Sequence, residues 1–119
     1  MLRASSQVCG ETVDLRAVIG TGDADAGVRH GKLLIAFTEA VQAGDDEVLR
    51  SEREALRAVV SPAAFMDTCA VIAAFNVVDR VADATGIPLD PALYAISGDV
   101  REQLDLSRFQ SSANTPDVR

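Results

Sequence analysis

The sequence is poor in the residues that carry most catalytic and metal chemistry. Its 119 residues include no tryptophan, one tyrosine, one histidine and two cysteines. Cys9 and Cys69 lie far apart in the chain, which excludes a disulfide framework and favours a reduced, cytoplasmic setting. Cys69 lies in an apolar segment and is expected in the core. His30 stands alone near a predicted helix start and is expected at the surface. No zinc site with ordinary ligand spacing can be written, and no cofactor is expected.

Positive charge is also scarce, because 11 Lys and Arg face 18 Asp and Glu for a net charge of −7. Nucleic acids and anionic membrane surfaces select basic patches, so neither is expected as a partner. No uninterrupted apolar run approaches the roughly 20 residues that span a bilayer. The first residues are not followed by an apolar segment, so no secretory signal is predicted.

Small aliphatic residues are abundant, and hydrophobic residues make up 48% of the chain. Their spacing is helical almost throughout, and no segment is a convincing strand. The sequence therefore predicts an all-α protein with a single helical domain over residues 1–106. Residues 107–119 are rich in serine and polar residues and are predicted to form a flexible C-terminal tail.

Three helices are predicted before residue 90. One runs from about residue 25 to 43 and ends at Gly44. A short helix is expected over 51–59, with Ser51 as its N-cap and Glu54 completing a capping box. The third covers 62–85, between the Ser61-Pro62 pair and Gly86, which are start and stop signals. A further helical stretch is expected over 94–106.

The helix over 62–85 is apolar around more than half of its circumference. About 24 residues at 1.5 Å each make a rod of roughly 36 Å, long enough to cross a subunit of this size. A helix that is apolar on most sides is buried on most sides. Because one small chain does not easily surround it, a subunit interface is the expected cover, burying Phe75. An ordinary bundle core is the alternative.

Polar residues share one face over the last turns of this helix, namely Asn76, Asp79, Arg80 and Asp83. The two carboxylates stand close enough to Arg80 in sequence to form ion pairs with it. An ion-pair patch is therefore one interpretation. A role for Arg80 in holding a ligand is the other.

The stretch from Ala74 to Leu89, AFNVVDRVADATGIPL, resembles the C-terminal signature of the carboxymuconolactone decarboxylase and alkylhydroperoxidase D (AhpD) superfamily, nearest its peroxidase-related branch. The segment LLIAFTEAV over 33–41 is similar to the family's preceding segment, so the resemblance covers about residues 28–90. It implies an AhpD-like helical bundle. It also implies a homo-oligomer, a dimer, trimer or hexamer, assembled through the 62–85 helix.

Active members of that family carry a Cys-x-x-Cys-x-x-x-His motif with an upstream Glu, which this chain lacks. If Cys9 is the second cysteine, the first falls on Ser6 and the histidine on Val13. If Cys9 is the first, the second falls on Thr12 and the histidine on Arg16. Either register leaves one thiol and no histidine to move a proton, so the dithiol peroxidase mechanism does not carry over.

Three functional hypotheses follow. The first is a divergent AhpD-like protein that serves as an oligomeric binding or scaffold subunit. The second is an enzyme: a one-cysteine peroxidase-type oxidoreductase using Cys9, or a decarboxylase-type enzyme in which Arg80 holds a carboxylate in an intersubunit pocket. In the first enzyme, Arg16 or Arg3 would lower the thiol pKa, and Glu11 and Asp14 would oppose this. The third is an unrelated helical interaction module.

Overall fold

The computed structural model describes Gly10, residues 12–20 and residues 25–115, and all regular structure in these parts is helical. The described residues contain no strand, which confirms the all-α class. The α-helices are α1 (Gly31–Ala43), α2 (Asp46–Arg57), α3 (Pro62–Thr85), α4 (Pro91–Ile96) and α5 (Gly98–Gln103). Short 3-10 helices cover Leu15–Ile19, Leu106–Arg108 and Gln110–Asn114.

The packing divides the chain into two compact units, with the division between Ile72 and Ala73, inside α3. The limit of the folded domain at residue 106 stays a prediction. The segment predicted as a tail, 107–119, is in 3-10 helices over much of its described part.

A loop residue caps the start of α1. The Asp25 carboxylate accepts a hydrogen bond of 3.0 Å from the backbone N–H of Lys32, although the two are seven residues apart. His30, at the N-cap position, makes no side-chain capping bond and has a left-handed backbone, φ 61°. A side chain on Gly31 would collide with the backbone carbonyl of Asp25, so only glycine fits at this approach. Gly44, φ 72°, ends α1 as predicted.

Helix α2 begins earlier than predicted. The Asp45 carboxylate caps it, accepting from the backbone N–H groups of Glu47 at 3.0 Å and Val48 at 3.2 Å. Ser51 therefore lies inside α2, and the prediction that it is the N-cap is wrong. Acidic residues in the first turn favour the earlier start, because they complement the positive end of the helix dipole.

Helix α3 has the predicted bounds and signals. The Ser61 hydroxyl accepts from the backbone N–H of Ala64 at 3.2 Å, and Pro62 is the first helical residue. Gly86 adopts φ 64°, and its N–H donates to the Ala82 carbonyl at 2.9 Å. The helix ends there because glycine takes this left-handed conformation without steric cost.

The first unit has a small hydrophobic core built from three helices. Phe37 of α1, Leu56 of α2 and Ile72 of α3 are buried together, and Leu56 is fully inaccessible. The rings of Phe37 and Phe65 pack with their centroids 5.5 Å apart. Cys69 packs against this cluster, which confirms its predicted place in the core.

The second unit, described through Thr115, is held by polar contacts around α4 and α5. Asp90 caps α4 by accepting from the backbone N–H of Ala92 at 2.8 Å. The backbone N–H of Leu89, just before α4, donates to the hydroxyl of Thr115, just after the last 3-10 helix, at 2.7 Å. None of the described residues after Ile72 is a buried hydrophobic residue.

Candidate functional site

Most of the apolar surface of α3 is exposed. Ile72 is the buried residue of the helix, and Phe65 and Cys69 on the same side are half-buried. Phe75 is 62% exposed, Val77 66% and Val78 61%. Phe75 is therefore not covered within the single chain. The sequence analysis expects a second subunit to cover it. The outward face of α3, as used below, consists of Ala63, Met66, Ala70, Val71, Ala74, Phe75, Val77, Val78, Val81 and Ala84.

Four small aliphatic residues of the outward face are spaced seven positions apart, namely Ala63, Ala70, Val77 and Ala84. Ala63 and Ala84 are the second and the penultimate residues of α3, and Ala70 and Val77 lie equally far from its two ends. Two antiparallel copies of α3 aligned over their full length would bring each of these residues opposite another member of the set. Residues spaced seven apart form one stripe along a helix, and this stripe can stay in contact with a partner helix. Small side chains in the stripe let the two helix axes approach closely.

Length and composition also make α3 a candidate membrane span, the one such helix in the part of the chain that the structure describes. The helix carries four charged residues, Asp67, Asp79, Arg80 and Asp83. Each charge costs about 2.5–3.5 kcal/mol at the centre of a bilayer. The side of α3 that bears Phe65, Cys69 and Ile72 is covered by the core of the first unit. The expectation of no membrane partner stays a prediction.

Arg80 is exposed, and the ion-pair patch predicted around it is not formed within the single chain. No salt bridge within 4.0 Å joins Arg80 to Asp79, Asp83 or any other described residue. An exposed pair gains little in water and loses side-chain entropy, which accounts for its absence. Arg80 lines neither of the two cavities discussed below. Its predicted role in an intersubunit pocket stays a prediction.

Cys9, the predicted nucleophile, lies outside the described residues. Arg16, which could stabilise a Cys9 thiolate, forms a bidentate pair with Asp14, with both nitrogen–oxygen distances 2.9 Å. The hydrogen bond with Asp14, reinforced by its charge, raises the pKa of Arg16 above the ordinary arginine value. Because Asp14 already offsets this positive charge, Arg16 would give a nearby thiolate weaker support than an unpaired arginine.

The described residues contain no group of three or more His, Cys, Asp or Glu that could hold a metal ion. His30 is half-buried, and its Nε2 accepts a hydrogen bond of 3.1 Å from Arg29 Nε. Nothing in this arrangement gives His30 a catalytic partner among the described residues.

A cavity in the second unit was missed by the sequence analysis. It has a volume of about 500 Å³ and is lined by Leu89, Tyr94, Arg101, Leu106, Ser107, Phe109, Ser111, Ser112 and Thr115. A second cavity of about 330 Å³ in the first unit is lined by Arg57, Val60, Pro62, Phe65 and Met66. The larger one is assembled from α4, α5 and the two C-terminal 3-10 helices. No local sequence motif indicates this cavity, because its lining residues come from four short elements and the residues that link them.

The helices and their exposed surface define the chain as an all-α protein with an uncovered apolar helix. No family model, curated protein or solved structure matches the chain.

Proposed function

We propose that the protein is an oligomeric binding or scaffold subunit that self-associates through the outward face of α3. The observation that carries this proposal is the exposure of a long apolar helix, with Phe75, Val77 and Val78 each more than half accessible. Exposed contiguous apolar surface on a folded chain marks an interaction site. The proposal includes a divergent AhpD-like origin without the dithiol site, supported by the resemblance over residues 74–89.

The occupant we propose for this face is a second copy of the chain in antiparallel orientation. The seven-residue set Ala63, Ala70, Val77 and Ala84 supports a copy, because it maps onto itself when the helix is reversed. A two-fold interface needs the same patch to be complementary to itself, which this arrangement provides. The chain's net charge of −7 argues against an anionic membrane surface as the occupant.

The decisive experiment compares Val77→Asp with the wild type by sedimentation velocity over a wide concentration range. We expect an oligomer in the wild type and a loss of association of about a hundredfold or more in the variant. An uncompensated charge buried in an interface costs about 3–5 kcal/mol, which corresponds to at least that factor. The matched control is Val48→Asp in α2, whose side chain is 46% exposed. Val48 is not part of the outward face of α3, so this substitution should leave association unchanged.

The proposal fails if the wild type is monomeric at all concentrations, or if Val77→Asp and Val48→Asp have the same effect. Binding of the wild type to neutral lipid vesicles, with no protein oligomer in their absence, would identify a membrane as the occupant and also overturn it. Cys9→Ser should leave the oligomer intact, because self-association uses apolar contacts of α3. Loss of the oligomer on this substitution would point to an intermolecular disulfide instead.

Asp67 supplies a second test, in which the substitution is expected to strengthen self-association rather than weaken it. It lies on the same side of α3 as Ala63, Ala70 and Ala74, at helical steps of three, four and seven residues. Burying a carboxylate in an apolar contact without a partner is costly. Asp67→Ala should therefore strengthen self-association, measured as a lower dissociation constant in sedimentation equilibrium. Weakened association would mean that Asp67 binds a partner across the interface, contrary to the stripe proposed here.

A further inference from the structure

The cavity of the second unit combines one cationic group with an apolar wall. The Arg101 guanidinium lies over the ring of Tyr94, with Cζ 3.7 Å from the ring centroid, and its Nη2 donates to the Tyr94 carbonyl oxygen at 2.9 Å. These two contacts hold the guanidinium at the cavity wall. Leu89, Leu106 and Phe109 supply apolar lining beside it.

The charge of Arg101 is not compensated by the part of the chain that the structure describes. No described carboxylate lies within 4.0 Å of its guanidinium, although Asp99, Glu102 and Asp105 are near in sequence. Its Nε is buried and has no hydrogen-bond partner among the described residues. A buried donor without a partner costs free energy, and a negatively charged group at the guanidinium would offset the uncompensated charge.

The hydroxyl groups of the lining are partly engaged. Ser107 Oγ donates to Asp105 Oδ1 at 3.2 Å, and Ser112 Oγ donates to the Ser107 carbonyl oxygen at 3.1 Å. The Thr115 hydroxyl accepts from the backbone N–H of Leu89. The lining hydroxyls therefore serve first to shape the cavity, and Arg101 is left as its charged recognition group.

We infer that this cavity binds a small organic monocarboxylate, with the carboxylate on Arg101 and an apolar body against Leu106 and Phe109. A volume of about 500 Å³ is in the range of small-molecule sites, which are mostly apolar with a few polar groups. A single negative charge fits a site with one cation better than a phosphate dianion does, because the chain as a whole carries a net charge of −7. This site is independent of the outward face of α3.

The test is a titration of the ¹⁵N-labelled full chain, followed by two-dimensional NMR, with three probes that share a phenyl ring. We expect 3-phenylpropanoate to shift backbone signals within residues 89–115 and to bind about tenfold or more tightly than the neutral 3-phenylpropanamide. A charged hydrogen bond accounts for a factor of that size. Phenyl phosphate should bind more weakly than the carboxylate.

Two variants assign the effect to the site. Arg101→Gln should abolish the preference for the carboxylate over the amide, and the matched control Arg53→Gln, an exposed arginine of α2, should retain it. Ser111→Trp places a bulky ring in the lining, leaves Arg101 in place and should weaken the binding of all three probes. If circular dichroism shows that Arg101→Gln alters the fold, Ser111→Trp still tests whether the probes bind in this cavity.

Three results would overturn the inference. Equal affinity for the carboxylate and the amide would mean an apolar crevice without anion recognition. Tighter binding of phenyl phosphate would assign a different ligand class. Shifts confined to residues 57–85 would place the probes elsewhere, either in the second cavity around Phe65 and Met66 or on the outward face of α3. None of these outcomes would change the interpretation of the self-association experiments.

Discussion

At the scale of single residues, the start of α1 depends on the close approach of a loop to a helix. Asp25 uses its side chain to cap the helix at Lys32, while its backbone carbonyl lies where a side chain on Gly31 would be. Gly27 has a related constraint, because a side chain there would meet the backbone of Thr12, and its φ is 74°. Close backbone approaches at two glycines and the Asp25 carboxylate therefore help to define this turn, in which Ala26 is also buried.

Gly31→Ala should destabilise the protein by about 1–3 kcal/mol, the usual cost of overpacking. The added methyl group forces the Asp25 carbonyl to move and disturbs the hydrogen bond to Lys32. Chemical denaturation measures the change in the free energy of unfolding. Gly98→Ala is the control, because a side chain there would meet only the end of the Arg101 side chain, at 3.8 Å. Equal effects of the two substitutions would show that the loop contact at Gly31 is not tight.

At the scale of elements, three helices of the first unit share one small core and leave their other faces uncovered. Leu56 is its centre, with no accessible surface, and Phe37 is 3% exposed. The helices α1 and α2 pack closely through this cluster, and α3 contributes one side through Ile72. The stability of the first unit therefore depends on few side chains.

Leu56→Ala should cost about 2–5 kcal/mol, because it removes a fully buried side chain and leaves a cavity. Leu93→Ala removes the same atoms from a side chain that is 42% exposed, and should cost about 1 kcal/mol or less. Thermal or urea denaturation of both variants gives the comparison. A loss for Leu56→Ala no larger than that for Leu93→Ala would contradict the packing of α1 against α2.

At the scale of the whole molecule, the long helix α3 has more apolar surface than the chain covers. Ile72 is its buried residue, whereas Val71, Val77 and Val81 are each more than half exposed. A folded chain with such a surface is expected to bury it against a partner. The proposed self-association provides that cover without changing the fold of the single chain.

Phe75→Ala should have different effects on the monomer and on the oligomer. In dilute solution, where the chain is monomeric, we expect a loss of about 1 kcal/mol or less, since the ring is 62% exposed. At high concentration the variant should have a lower melting temperature than the wild type, because self-association adds stability by mass action. Melting curves at two concentrations measure both effects. A large loss at every concentration would mean that Phe75 is buried within the single chain.

The all-α class, the bounds of α3 and the place of Cys69 in the core could be predicted from the sequence. These features depend on local signals, since Pro62 and Gly86 act through their own backbone geometry and the apolar spacing acts over neighbouring turns. The predicted start of α2 at Ser51 was wrong, because Asp45 is also a good N-cap and lies earlier in the chain. The helix formed from Asp45, since residues between the two also favour helix.

Contacts between groups that are distant in the chain could not be predicted from the sequence. The cap from Asp25 to α1, the absence of ion pairs at Arg80 and the cavity at Arg101 all depend on side-chain placement in three dimensions. The division of the chain into two units within α3 also depends on packing in three dimensions. Sequence periodicity reports which residues share a face of one helix. It does not report which other element reaches that face, because this depends on the packing of residues distant in the chain.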